Sequence, residues 1–216
     1  MSFLFSFINV FLHLDRVLGS IITQYGTLTY LALFAIIFLE TGLVITPFLP
    51  GDSLLFAAGA FAALGSLDLR ILFPLLCVGA IAGDALNYWL GHTYGLKFYR
   101  RFEGRFLKAE HLERTQRFYT KYGGRTIILA RFIPIVRTIA PFVAGVGQMP
   151  YAHFARYNVI GGLVWVSIFL GAGFFFGTIP SVKENFTFVI LAMIVISFLP
   201  VAWEVLEARK GKKTQV

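Results

Sequence analysis

The sequence predicts an all-α polytopic membrane protein, and three observations carry that expectation. Hydrophobic residues make up 57% of the chain and charged residues only 14%, more apolar surface than a soluble core can take up. The apolar residues fall into runs long enough to enter a bilayer, and proline and glycine interrupt several of them in a way that suits re-entrant hairpins. Two arginines, Arg131 and Arg137, stand inside one such run, where each charge costs on the order of 2.5–3.5 kcal/mol and so marks a buried partner or a water-filled cavity. At 216 residues the whole chain, 1–216, reads as a single membrane domain. Its expected parts are an N-terminal amphipathic helix, about four membrane spans, and two opposed re-entrant helical hairpins forming an inverted repeat.

Residues 1–25 read as an interfacial amphipathic helix. Asp15 and Arg16 interrupt the apolar stretch, and no basic start or small-residue cleavage site frames it as a signal peptide. Residues 27–46 begin as a span and then meet Glu40, after which Pro47, Pro50 and Gly51 break the helix. The next apolar stretch, Ser53 to Gly65, is too short for about 30 Å of hydrocarbon, so 41–65 is expected to be the first re-entrant hairpin. Residues 71–95 are long enough to cross, with Gly79, Gly83 and Gly91 permitting close helix packing.

The segment 97–125 carries nine Lys and Arg against Glu103, Glu110 and Glu113, which by the positive-inside rule makes it a cytoplasmic loop. Residues 126–149 follow as the second re-entrant hairpin, with Pro134 and Pro141 as its breaks. Further spans are expected over 157–177 and about 186–204, and the basic tail 205–216 is again cytoplasmic. Two spans after the basic loop return the chain to the same side only if 126–149 does not cross, and the same count places the N-terminus inside. Pro47-Phe-Leu-Pro-Gly51 laid on Pro141-Phe-Val-Ala-Gly145 gives the inverted repeat a weak echo in sequence.

Glu40, Asp52, Asp84, Arg131 and Arg137 are the ionisable residues at or near membrane depth. They must pair or share water. The bland reading is a buried salt-bridge set that fixes the hairpins. The functional reading gives Arg131 and Arg137 an anion, because the guanidinium fork matches phosphate and keeps its proton. It gives Glu40, Asp52 and Asp84 proton uptake, although Asp84, one helical turn before Asn87, also suits helix packing. Trp165 reads as packing. The net charge of +8 clusters beside apolar runs, which anionic lipid explains without nucleic acid. Cys77 is the sole cysteine, so neither an intrachain disulfide nor a thiolate metal site is expected, and no cofactor is implied.

Glu40-Thr-Gly with Pro47-x-x-Pro50-Gly-Asp52, then Gly83-Asp84, then Arg131-Phe-Ile-Pro134-x-x-Arg137 with Pro141 to Gly145, and finally Gly161 with Trp165, together resemble the DedA family of bacterial inner-membrane proteins, which is related to eukaryotic VTT-domain lipid scramblases. The match covers nearly the whole chain. The resemblance implies a multi-pass protein of the bacterial inner (plasma) membrane with a proton-motive-force-dependent, transporter-like fold. Some relatives translocate undecaprenyl phosphate and others are linked to envelope integrity. Glu40, Asp52, Arg131 and Arg137 match family positions regarded as functional. The partners so implied are protons, membrane lipids and an anionic phosphate-bearing lipid. Two other classes stay open: a membrane structural or partner-binding protein, and a lipid-phosphate enzyme. The second lacks a histidine in the apolar core beside a nucleophile, so a non-enzymatic role is the expectation.

Overall fold

The computed structural model describes residues 14–43, 51–101 and 123–185, together with 188, 189, 191 and 192. Among the described residues the regular structure is helical throughout: α1 (Leu14–Tyr25), α2 (Leu28–Gly42), α3 (Gly51–Ala63), α4 (Leu69–Arg101), α5 (Arg125–Ala130), α6 (Pro134–Val146), α7 (Tyr151–Phe176) and α8 (Pro180–Glu184). Two stretches, Leu69–Gly95 and Tyr151–Phe176, are long and apolar enough to cross a membrane. By contrast α3 and α6 have 13 residues each, about 20 Å at 1.5 Å per residue and short of a bilayer's thickness.

The short helices exchange partners. Helix α3 packs chiefly on α7, and α6 packs chiefly on α4, so each leans on the long helix that follows the other. Glycines let the backbones touch at both crossings. A Cβ at Gly59 or Gly173 would overlap the carbonyl oxygen of Leu170 or Phe56, and one at Gly91 or Gly145 would overlap that of Phe142 or Tyr88. Small residues serve this purpose where lipid gives no hydrophobic drive for helix association. Leu55, Ala57, Leu72, Leu76, Ala80, Val166 and Leu170 fill the main core, with Leu18 of α1 packed into it. On α7 the buried face runs Phe154, Asn158, Gly161, Trp165 to Gly173, while Ile160, Leu163, Val164, Ile168 and Phe175 lie exposed. An apolar outer face of this kind suits lipid.

Several boundaries differ from expectation. Helix α2 stops at Gly42, where Leu43 turns extended with φ −111° and ψ 124°, rather than continuing to 46. Helix α4 runs on to Arg101, into the segment expected to be a loop, and α7 begins at Tyr151 rather than 157. Pro141 does not break its segment: α6 continues through it to Val146. A proline there removes only its own N–H, and the surrounding helix and its packing on α4 hold the rest. The stretch 141–145, laid on 47–51 in the sequence, thus lies inside a helix, while 47–50 lies outside the described residues. Pro47 and Pro50, residues 1–13, the greater part of the basic loop, most of the last expected span and the basic tail lie outside the described residues.

Candidate functional site

The site begins at the break between α5 and α6. Pro134 opens α6, and Ile133 before it is extended, with φ −117° and ψ 107°, the conformation that a following proline favours. Residues 131–133 form the turn that results. Arg131 stands in that turn and Arg137 in the first turns of α6, so the two side chains leave the segment toward different neighbours.

Arg137 reaches the first half of the chain. Its Nη1 donates to Asp52 Oδ1 at 2.8 Å, and its Nη2 donates to Glu40 Oε1. Both arginine and glutamate are buried, at 3% and 0% side-chain exposure, with Asp52 at 13%. Glu40 sits near the end of α2 and also accepts the backbone N–H of Gly51 at 3.0 Å, which is the first residue of α3. Trp165 of α7 donates its Nε1–H to Asp52 Oδ1 at 2.8 Å, and the Arg137 guanidinium carbon lies 4.9 Å from the centroid of its ring. That is cation–π distance.

Arg131 serves a second cluster. Its Nη2 lies 2.5 Å from Asp84 Oδ2, donates to Asn158 Oδ1 at 2.5 Å and lies 3.4 Å from the carbonyl of Ala80. The side chain lies against Gly161, where an added Cβ would stand 3.1 Å from Arg131 Cδ. Asn158 in turn donates to the Ile81 carbonyl at 3.0 Å. A second buried amide joins the halves: Asn87 Nδ2 donates to the carbonyls of Thr41 at 3.1 Å and Thr138 at 2.7 Å, the residues that follow Glu40 and Arg137 in sequence.

The expected constellation therefore divides. Glu40 and Asp52 both go to Arg137, while Arg131 pairs with Asp84, which the carboxylate pair from the first half does not reach. Asn158 and Trp165 are the residues missed by reading the sequence. A polar amide inside the apolar run 157–177 was an available signal. For Trp165 the signal was its place beside Gly161 in the family resemblance, while by residue type alone a tryptophan in such a run is most often packing. His92 and His153 are exposed and form no part of either cluster.

A family model described as the VTT domain matches residues 49–175, and Protein DedA of Escherichia coli (strain K12) is 49% identical over 213 residues, which is 98% of this chain and 97% of that protein. This chain belongs to the DedA family. Two further DedA-family relatives of Escherichia coli (strain K12) are Inner membrane protein YghB, 35% identical over 74% of this chain and 73% of its own, and Inner membrane protein YqjA, 36% identical over 70% and 69%. No solved structure matches the chain. The relatives' names and the long apolar helices agree that this DedA-family chain is a membrane protein.

Proposed function

We propose that this protein carries a phosphate-bearing lipid across the bacterial inner membrane, driven by the proton gradient, with undecaprenyl phosphate the substrate that the family resemblance suggests. One observation supports it most: Arg137 is buried on α6 and held by two carboxylates, Glu40 and Asp52, that come from the other half of the chain. A permanent cation and two groups able to take up protons thus share one site. An anionic headgroup and the carboxylates compete for the same guanidinium, so protonating a carboxylate releases the fork for phosphate. Arg131 and Asp84 form the adjoining pair and are read as a second arginine for the headgroup with its own proton-bearing partner. Helices α3 and α6 are read as arms of two re-entrant hairpins entering from opposite faces, with both chain termini cytoplasmic.

A lipid-phosphate enzyme is disfavoured, because phosphoryl transfer needs a nucleophile with a base beside it, and the carboxylates of this site are engaged with arginines. The rival is a structural lock, which the burial of Arg131 against Asp84 and Asn158 favours. The test is headgroup accessibility in proteoliposomes, with and without an imposed pH gradient, and with phosphate release measured in parallel. Glu40→Gln and Asp52→Asn are expected to fold and to lose the gradient dependence. If both keep the wild-type gradient-driven rate, the carboxylates are only structural partners of the arginine.

A further inference from the structure

We infer that the carboxylate of Glu40 is an internal stand-in for the substrate's phosphate: it occupies an anion site built by the first residue of α3 and Arg137, and the headgroup binds by displacing it. The inference rests on the lipid-phosphate reading above and names the site that reading leaves open. Glu40 Oε1 takes both the Gly51 N–H and the Arg137 guanidinium. Gly51 is the N-terminal residue of a 13-residue helix, where free N–H groups and the helix dipole favour an anion.

The carboxylate fills this site incompletely. Among the described residues no donor reaches Glu40 Oε2, and no acceptor reaches Arg137 Nε, though both side chains are almost wholly buried. Oε2 is also the atom nearest to where a Cβ on Gly51 would stand, so the unmatched oxygen is aimed at the start of α3. A buried polar atom without a partner costs about 1–3 kcal/mol, which makes two of them in one contact a sign of an imperfect ligand. A phosphate headgroup has two terminal oxygens as a diester or three as a monoester and no tether to α2, so it can meet the Gly51 N–H and both edges of the guanidinium at once. Glycine at 51 has the matching explanation, since any side chain there would stand where the anion sits.

Among the described side chains, the charged groups facing Glu40 are Arg137 of α6 and Asp52 of α3. Asp84 of α4 and Arg131 make the next pair. A proton on Glu40 neutralises the stand-in and weakens its hold on Arg137, so phosphate affinity rises as pH falls. Asp52 competes for the guanidinium but not for the Gly51 N–H, so its neutralisation has the smaller effect.

The experiment is calorimetric titration of the purified full-length protein with didecyl phosphate, whose single negative charge is constant over the pH range used. Wild type is expected to bind several-fold more tightly at about pH 6 than at about pH 8. Glu40→Gln is expected to bind on the order of tenfold more tightly than wild type at the higher pH, with a flattened pH dependence. Glu40→Ala serves as the second variant should Gln fail to fold, and Arg137→Gln is expected to abolish binding. Inorganic phosphate, run as a second titrant, separates a lipid headgroup from a free anion. Binding by Glu40→Gln and Glu40→Ala that equals or falls below wild type overturns the stand-in while leaving the lipid-phosphate reading intact. No binding by any form at any pH overturns both.

Discussion

The crossing of α3 and α7 supports a paired test in which two glycines of one helix respond oppositely to the same methyl group. At Gly173 an added Cβ would overlap the carbonyl oxygen of Phe56 and stand 2.9 Å from its Cα, whereas at Gly171 nothing lies within 4 Å. The Phe56 carbonyl is helix backbone, so relief requires moving α3 itself. Overpacking of that kind costs about 1–3 kcal/mol or somewhat more, against a gain of up to about 1 kcal/mol for alanine over glycine in a helix. Gly173→Ala should therefore destabilise by roughly 1–2 kcal/mol net, while Gly171→Ala keeps only the gain. Cys77 supplies the assay. It is the sole cysteine of the chain and is buried at 4% exposure, so a thiol-reactive fluorophore reports its release on heating. At about 2–4 °C per kcal/mol for a domain of this size, Gly173→Ala should lower the apparent midpoint by roughly 2–8 °C and Gly171→Ala raise it by up to about 4 °C. Equal shifts, or the larger loss at 171, would refute the backbone contact between α3 and α7.

The two arginines should differ in their tolerance of lysine. Arg137 engages Asp52 and Glu40 through separate nitrogens, whereas the contacts of Arg131 all converge on Nη2; a lysine ammonium can mimic one donor point but not a fork. Arg131→Lys is expected to retain most of its transport in proteoliposomes and Arg137→Lys to lose most of it, and the reverse order would contradict the pairing. Asn158→Leu, which leaves Arg131 with fewer partners, should cost about 1–2 kcal/mol on the scale of intramembrane hydrogen bonds, read as a lower thermal midpoint; an unchanged midpoint would mean the amide is idle. Pro141→Ala restores an N–H facing the Arg137 carbonyl inside α6 and should raise the midpoint, with proline costing about 3 kcal/mol in an unsupported helix interior; a fall would show that α6 depends on the proline.

The charged positions were legible because a bilayer makes charge conspicuous: Glu40, Asp52, Arg131 and Arg137 stand out from apolar runs by cost alone. Which carboxylate meets which arginine was not, since a turn of three residues at 131–133 decides where each side chain goes, and no periodicity extends across a turn. Pro141 shows a second limit. Proline removes one hydrogen bond and adds one clash, and whether that ends a helix depends on neighbours such as α4, which only the folded chain supplies. Gly59 and Gly173 could be read as packing residues, but their meeting needed the tertiary structure, because the two lie in different halves of the sequence.

That exchange of partners bears on how the protein is made. Helix α3 is synthesised roughly a hundred residues before α7, which at about 5–20 residues per second means a delay of some 5–20 seconds. For that interval Glu40 and Asp52 are present in the nascent chain before Arg137 exists, and the α3 surface around Gly59 has no helix to close it. The first half thus arrives at the membrane with unmatched carboxylates and an open seam, a substrate for insertion factors or for proteases. A chain truncated before α6 would be held in that state permanently, so ribosome stalling within 123–133 converts a well-packed membrane protein into a target for quality control.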